Sequence, residues 1–319
     1  MINISQHPKI LKLLDIIKIN KYQFIIGNSN IKYIANGIGD ILFSLLNLQE
    51  KLIIKPVYIN LNLYADGLIL NEKEKVLWFK DPFNAFIFRI NLLNDIVNNS
   101  AFIKKTDIVF VLNNNVIPIN YYSTNFNYIK IKHFNLNVKN KFFETDFEKN
   151  TQNFIKTPFI IFHTKLRLSE KYNYVKIKNT LSTFFSRLKI KNFNIILMGE
   201  KNFPITLESK TIGITTIYSE LLKLYNFNSN NILDLTVEQI YNELDYTTYK
   251  NDISLINKAE YNICFGQGGQ LCSSLLFGKT IFFNPLNHND FYNNINLYNS
   301  NHRYFKRMNR MFQYLIQIL

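Results

Sequence analysis

Short runs rich in Ile, Val and Phe recur along this sequence, each followed by a longer stretch with helical spacing of its apolar residues. That alternation constrains the fold more than any other feature. A run such as Pro158 to His163 is apolar at nearly every position, as in a strand buried on both faces of a parallel sheet. Parallel strands cannot be joined by tight turns, so the helical stretches between them serve as crossovers. The expected fold class is α/β.

In the first half, Gln23 to Gly27 or Lys32 to Ala35 reads as the first strand and Asp40 to Gln49 as a helix. Pro56 to Leu63 then reads as a strand, Pro82 to Val97 as a helix and Asp107 to Leu112 as another strand. From Asn113 to Asn153 the sequence is Asn-rich and irregular, with strand-like pieces such as Tyr128 to Phe134, and the domain junction is expected near its end. The pattern then restarts with a strand at Pro158 to His163, a helix at Val175 to Leu188, a strand at Phe193 to Met198 and a helix at Thr215 to Tyr225. A short segment at Asn231 to Leu235, a helix at Tyr249 to Ala259, a strand at Tyr261 to Phe265, a helix at Gln270 to Phe277 and a strand at Lys279 to Asn284 follow. A length of 319 residues suits two domains of about 100–200 residues, placed at 1–153 and 154–319.

Apolar residues make up 47% of the chain and charged residues 19%, which excludes disorder on grounds of low hydrophobicity. A formal charge of +14 invites a nucleic-acid reading, but the lysines are scattered and build no basic face, so nucleic acid is disfavoured. The tail is the exception. From His302 to Phe312, basic and apolar residues alternate as in one amphipathic helix with a basic face. It reads first as a last helix docked on the body with solvated charges, and second as a peripheral contact with the inner face of a membrane. Cys264 and Cys272 fit neither a disulfide framework nor a common metal spacing. No basic leader with a long apolar stretch occurs, nor a run of about 18 uncharged apolar residues. A cytoplasmic protein is expected.

Three loops fall at the carboxyl ends of expected strands, where open α/β sheets bind ligands. In Gly37-Ile38-Gly39-Asp40 the glycines let the backbone approach a ligand closely. Asp40 enters the first turn of an apolar helix, either as its N-cap or as a general base toward a hydroxyl. Leu42 stands where a dinucleotide fingerprint has its third glycine. In His163-Thr164-Lys165-Leu166-Arg167, Lys165 and Arg167 share a face of an extended loop and suit one diphosphate, unless both are merely solvated. His163 reads as a buried histidine satisfied by the backbone. In Gly266-Gln267-Gly268-Gly269-Gln270, a strand turns into a helix whose N–H groups form a phosphate platform, unless the segment is only a tight turn. Gly278-Lys279 then ends that helix as a left-handed cap would. Glu200 emerges at a strand end, either to accept hydrogen bonds from a ribose or sugar or to lie exposed.

Together these motifs resemble the lipopolysaccharide heptosyltransferase-like glycosyltransferases. Gly37-Ile38-Gly39-Asp40-Ile41-Leu42 is similar to that family's glycine turn followed by Gly-Asp and an aliphatic pair. Ile196-Leu197-Met198-Gly199 is similar to its aliphatic strand ending in glycine, and Ala259 to Lys279 to its helix, strand, glycine turn, small-residue helix and Gly-Lys. The resemblance implies the GT-B architecture, with two Rossmann-like domains facing across a cleft, the acceptor side in 1–153 and the nucleotide-sugar side in 154–319. It leaves the last helix free to cross back and brace the first domain, which we prefer to a lipid contact. It implies transfer from a nucleoside-diphosphate sugar to a hydroxyl of a glycan or lipid-linked acceptor, with inversion. Asp40 would be the base, and Lys165, Arg167, Glu200 and Gly266 to Gln270 would hold the donor. No metal or other cofactor is implied, since the sequence lacks an Asp-x-Asp signature. Gln267, Gly268, Gly269 and Cys272 stand where the family has a pattern like Asp-x-Gly-x-x-His, so the sugar and the nucleotide stay open. Two alternatives share the fold: a sugar-nucleotide epimerase, which needs further cleft carboxylates, and a nucleotide- or sugar-binding module without catalysis.

Overall fold

The computed structural model describes residues 7–27, 37–62, 82–113, 134–147, 149–169, 174–188, 193–202, 212–223, 231–238, 245–266, 269–283 and 301–319. Expected strands at Lys32 to Ala35 and, up to residue 133, at Tyr128 to Phe134 lie outside them, as do Gln267, Gly268 and the side chain of Arg167. The chain divides into two compact units. The first is Met1–Ile131 with Asn135–Glu144 and Leu244–Tyr249, and the second is Lys132–Phe134 with Thr145–Glu243 and Lys250–Leu319.

The first unit opens with α1 (Pro8–Ile19), whose proline sits where a helix has no partner for an N–H. β1 (Gln23–Gly27), α2 (Ile38–Gln49), β2 (Val57–Asn62), α3 (Pro82–Asn99) and β3 (Ile108–Asn113) follow. The three strands are parallel in the order β1-β3-β2, with Phe110 of β3 opposite both Phe24 and Ile59. Leu13 of α1, Leu42 and Leu46 of α2 and Phe86 and Leu93 of α3 are buried. The Gln49 side chain donates to Asn135 O at 3.0 Å and accepts from Asn137 N at 2.9 Å, so one amide at the end of α2 pins a returning segment as a neighbouring strand would.

The second unit runs α4 (Lys149–Phe154), β4 (Phe159–Ser169), α5 (Tyr174–Arg187), β5 (Asn194–Glu200), β6 (Ile212–Thr216), α6 (Tyr218–Leu221) and β7 (Ile232–Val237). It continues with α7 (Tyr246–Lys258), β8 (Tyr261–Phe265), α8 (Gly269–Phe277), β9 (Thr280–Phe283), β10 (His302–Phe305) and α9 (Met308–Ile318). Tyr246–Tyr249 of α7 is assigned to the first unit. The sheet order is β10-β9-β8-β4-β5-β7, with β6 paired to β4. The first strand therefore lies in the middle; the chain builds outward through β5 and β7, then returns to add β8, β9 and β10 on the other side. That is the 3-2-1-4-5-6 order of a doubly wound Rossmann-like sheet. Ile160, Phe162 and Leu166 of β4 turn to one face, where they meet a core that includes Phe184 and Phe185 of α5 and Met311 and Phe312 of α9. His163 alternates to the other face and meets α8.

Four expectations need correction. Residues 163–167 are not a loop: β4 continues to Ser169 because β6 pairs with its far half antiparallel, Lys165 opposite Thr216 and Arg167 opposite Ile214. The helix expected at Thr215 to Tyr225 is reduced to Tyr218–Leu221, since the β-branched residues Ile212, Ile214, Thr215 and Thr216 belong to that added strand. The tail is not one helix. His302 and Tyr304 point inward with period two in β10, and helical spacing starts only at Met308. The apolar face of α9 lies in the second unit's own core. Finally, Gly278 ends α8 without a left-handed turn. Its missing side chain matters because a Cβ there would strike Ile256 O and the Asn262 amide.

Candidate functional site

The strand order reverses between β4 and β8, so the carboxyl ends of these strands flank the crevice where a doubly wound sheet binds its ligand. β4 is irregular there. Its pairing with β8 jumps from Phe162–Ile263 to Leu166–Phe265, four residues along β4 against two along β8. The extra residues, centred on Thr164, form a bulge within β4, before its far half pairs with β6.

Three elements meet at Thr164. Gly199, at the end of β5, has a φ of +118°, a left-handed conformation open to glycine and strained for other residues. A Cβ on Gly199 would overlap both the Thr164 hydroxyl and the side-chain amide nitrogen of Gln270, the second residue of α8. Those two groups thus converge on a point of bare backbone at the amino end of a helix. Thr164 is 0% exposed, and among the described residues neither its Oγ1 nor Oε1 of Gln270 has a hydrogen-bond partner. A buried polar atom left in that state costs about 1–3 kcal/mol, a cost that a polar group brought to the cluster would remove. The first-turn N–H groups of α8 and its dipole favour that group being anionic.

The same end of the sheet carries Gly266, buried at the close of β8, and Gly269, which opens α8. Glu200 follows Gly199 but is only 3% exposed, so its carboxylate is packed into the protein rather than presented at a rim. Lys165 is half-buried, one residue beyond Thr164 in the ladder with β6. Sequence reasoning missed Thr164 and Gly199 as site residues. The signal for Gly199 was present as a lone glycine closing an apolar strand, whereas the orphaned hydroxyl emerges only from the fold.

His163 is fixed beneath this cluster. It is buried, and its Nε2 lies 3.0 Å from Ser274 Oγ of α8, so the partner of that nitrogen is a side chain and not the backbone, while Nδ1 has no hydrogen-bond partner among the described residues. Burial pushes its pKa down to about 4, with the Asn262 side chain pulling weakly upward. Cys264 Sγ lies 3.7 Å from the same serine oxygen, and burial pushes its thiol up to about 12. Both groups are neutral near pH 7 and fasten α8 to β4 and β8.

Asp40 belongs to the first unit. The N-cap of α2 is Gly37, in an extended conformation, and Asp40 is the third helical residue. Its Oδ2 lies 2.7 Å from where a Cβ on Gly37 would stand, so the exposed carboxylate folds back toward the cap as in one half of a capping box. Gly37 permits that approach, and Gly39 is half-buried in the same turn. The structure thus gathers Lys165, Glu200, Gly266, Gly269 and Gln270 at one end of the second sheet, while Gly37, Gly39 and Asp40 form a separate turn. Among the described residues no group of three His, Cys, Asp or Glu side chains is placed to hold a metal ion, and no helix is long and apolar enough to cross a membrane. No known protein family, no curated protein and no solved structure matches this chain.

Proposed function

We propose that the chain is a glycosyltransferase that moves a sugar from a nucleoside-diphosphate sugar to a hydroxyl of a glycan or lipid-linked acceptor, with inversion and without a metal. The observation that supports it most is the convergence of Thr164, Gly199 and Gln270 on the amino end of α8, at the strand-order reversal of a doubly wound sheet. In this reading the α8 amides, Thr164 and Gln270 hold the donor diphosphate, with Lys165 and Arg167 adding positive charge. The acceptor oxygen attacks the anomeric carbon and gives its proton to Asp40, while the bond to the diphosphate breaks and the nucleoside diphosphate leaves with the electron pair. Fixed donors at the leaving group lower the barrier by several kcal/mol, whereas a base contributes about 10²–10⁴-fold.

A second reading, a nucleotide- or sugar-binding module without catalysis, draws on Glu200 being buried and on the lack of any carboxylate or imidazole from Gly266 to Cys272. One experiment separates the two. A thermal-shift screen with GDP-, UDP-, ADP- and CMP-sugars identifies the donor, since a ligand at 100 times its Kd adds about 2.7 kcal/mol. Transfer and hydrolysis are then followed with that donor for the wild type and Asp40→Asn. The enzyme reading expects turnover that Asp40→Asn lowers about 10²-fold or more with donor affinity intact. Binding without turnover supports the module, and no stabilisation by any nucleotide rejects both.

A further inference from the structure

We propose that Arg303, Lys306, Arg307 and Arg310, on β10 and around the start of α9, form a docking surface for the anionic headgroups of a lipid bilayer. All four side chains are exposed, and no ion pair joins any of them to another described residue. Some lysines elsewhere have acidic partners: Lys55 sits 2.8 Å from Asp107, Lys201 3.4 Å from Glu238 and Lys279 3.5 Å from Glu260. Here the sequence supplies no counter-charge nearby, for no Asp or Glu occurs from Phe291 to Leu319.

The arrangement works against the helix that carries it. α9 has no acidic residue in its first turn and no side-chain cap on Arg307, so Lys306, Arg307 and Arg310 crowd the positive end of its dipole. An anion from outside relieves that repulsion, and arginine forks pair with phosphate through two parallel hydrogen bonds. The support is firm, because Met308, Met311, Phe312 and Leu315 are buried in the second unit's core.

The groups beside the cations decide which polyanion fits. Ile316, nearly two turns along α9 from Arg310, is 58% exposed, and an apolar side chain gains nothing against a sugar-phosphate backbone. At a bilayer it enters the boundary between headgroups and acyl chains, beside phosphates held by the arginines. Within 301–319 no exposed aromatic ring is available for stacking on bases. This surface makes no use of the donor cluster at Thr164.

Co-sedimentation of the full chain with phosphatidylcholine vesicles, with and without about a third phosphatidylglycerol, tests the surface. Binding is expected to anionic vesicles only and to weaken as added salt screens it. Each cation removed lowers the partition coefficient about five-fold, so Lys306→Ser, Arg307→Ser and Arg310→Ser together cost about a hundred-fold. Ile316→Ser costs a smaller factor. Thermal melts of the variants check that the fold is kept, and release of the wild-type protein by salt needs no variant. Equal binding to neutral vesicles, undiminished binding by the folded triple variant, or no vesicle binding at all overturns the proposal. So does tighter binding, through the same residues, to duplex nucleic acid at matched phosphate concentration.

Discussion

Thr164 holds a hydroxyl where every neighbour is fixed: β4 bulges around it, Gly199 offers no side chain, and Ile217 N donates to its carbonyl at 2.7 Å. Replacing it by valine keeps the shape and removes an oxygen that lacks a partner among the described residues. Most substitutions of a buried residue destabilise, but Thr164→Val should leave stability unchanged or raise it by up to about 1 kcal/mol. Nucleotide-sugar affinity should instead fall about five- to tenfold, the worth of one hydrogen bond to a charged ligand. Denaturant titration and calorimetry read the two quantities separately, and a loss of stability with unchanged affinity would make the hydroxyl structural. Acid response is also set by single residues. Burial holds His163 and His302 at about 4 against an ordinary 6.5, so the stability they confer is complete above about 6.5 and is lost as pH falls toward 4. Asp252 runs the other way: burial pushes it up to about 7 from 3.8, so its contribution is complete below about 3.8 and is lost as pH rises through 7. Asp252→Asn should raise the melting temperature at about pH 8 and leave it unchanged near pH 4, where the native carboxyl is already neutral.

The elements that sequence periodicity located are those where one face meets one core. α2, β3, β8 and α8 lie within a few residues of their expected positions, because their apolar runs face a single neighbour at helical or strand spacing. β6 was illegible because its residues complete a strand that already has a parallel partner on its other side, a tertiary fact that local spacing does not carry. The tail misled for a similar reason. His302 and Tyr304 are strand residues spaced so that, joined to Met308 and Met311, they mimic a helical stripe. At the site the glycines of β5 and α8 were visible as sequence, while the burial of Glu200 and the serine partner of His163 depended on strands distant in the chain. α9 itself gives a sharp test of the corrected tail. Phe312 stacks on Phe184 with centroids 4.0 Å apart, inside the core of the second unit. Phe312→Ala should cost about 3–5 kcal/mol in denaturant unfolding, since a cavity opens where two helices share one ring pair. A last helix not docked on the body would lose less than about 0.5 kcal/mol.

On the scale of the whole molecule, the two units carry different chemistry. The second holds a helix amino end, orphaned polar atoms and a flat glycine backbone at a strand-order reversal, all suited to an anionic ligand. The first holds Asp40, an exposed carboxylate at the amino end of an apolar helix and better suited to a neutral hydroxyl than to a diphosphate. Hydrogen exchange on the intact chain can read this division because protection reports local opening segment by segment. If the proposed function holds, the nucleotide sugar found by the thermal screen should slow exchange at residues 164–166, 199–201 and 269–272, the backbone nearest Thr164, Gly199 and Gln270. The first turn of α2 should be unaffected by nucleotide alone and gain protection only when an acceptor is added. A diphosphate at a helix amino end accepts from more amides than a neutral ligand group does, so the strongest change should fall on 269–272, and the nucleoside diphosphate without its sugar should reproduce it. Protection by nucleotide at α2 with none at 269–272 would move the donor site to the first unit and remove Asp40 as the base.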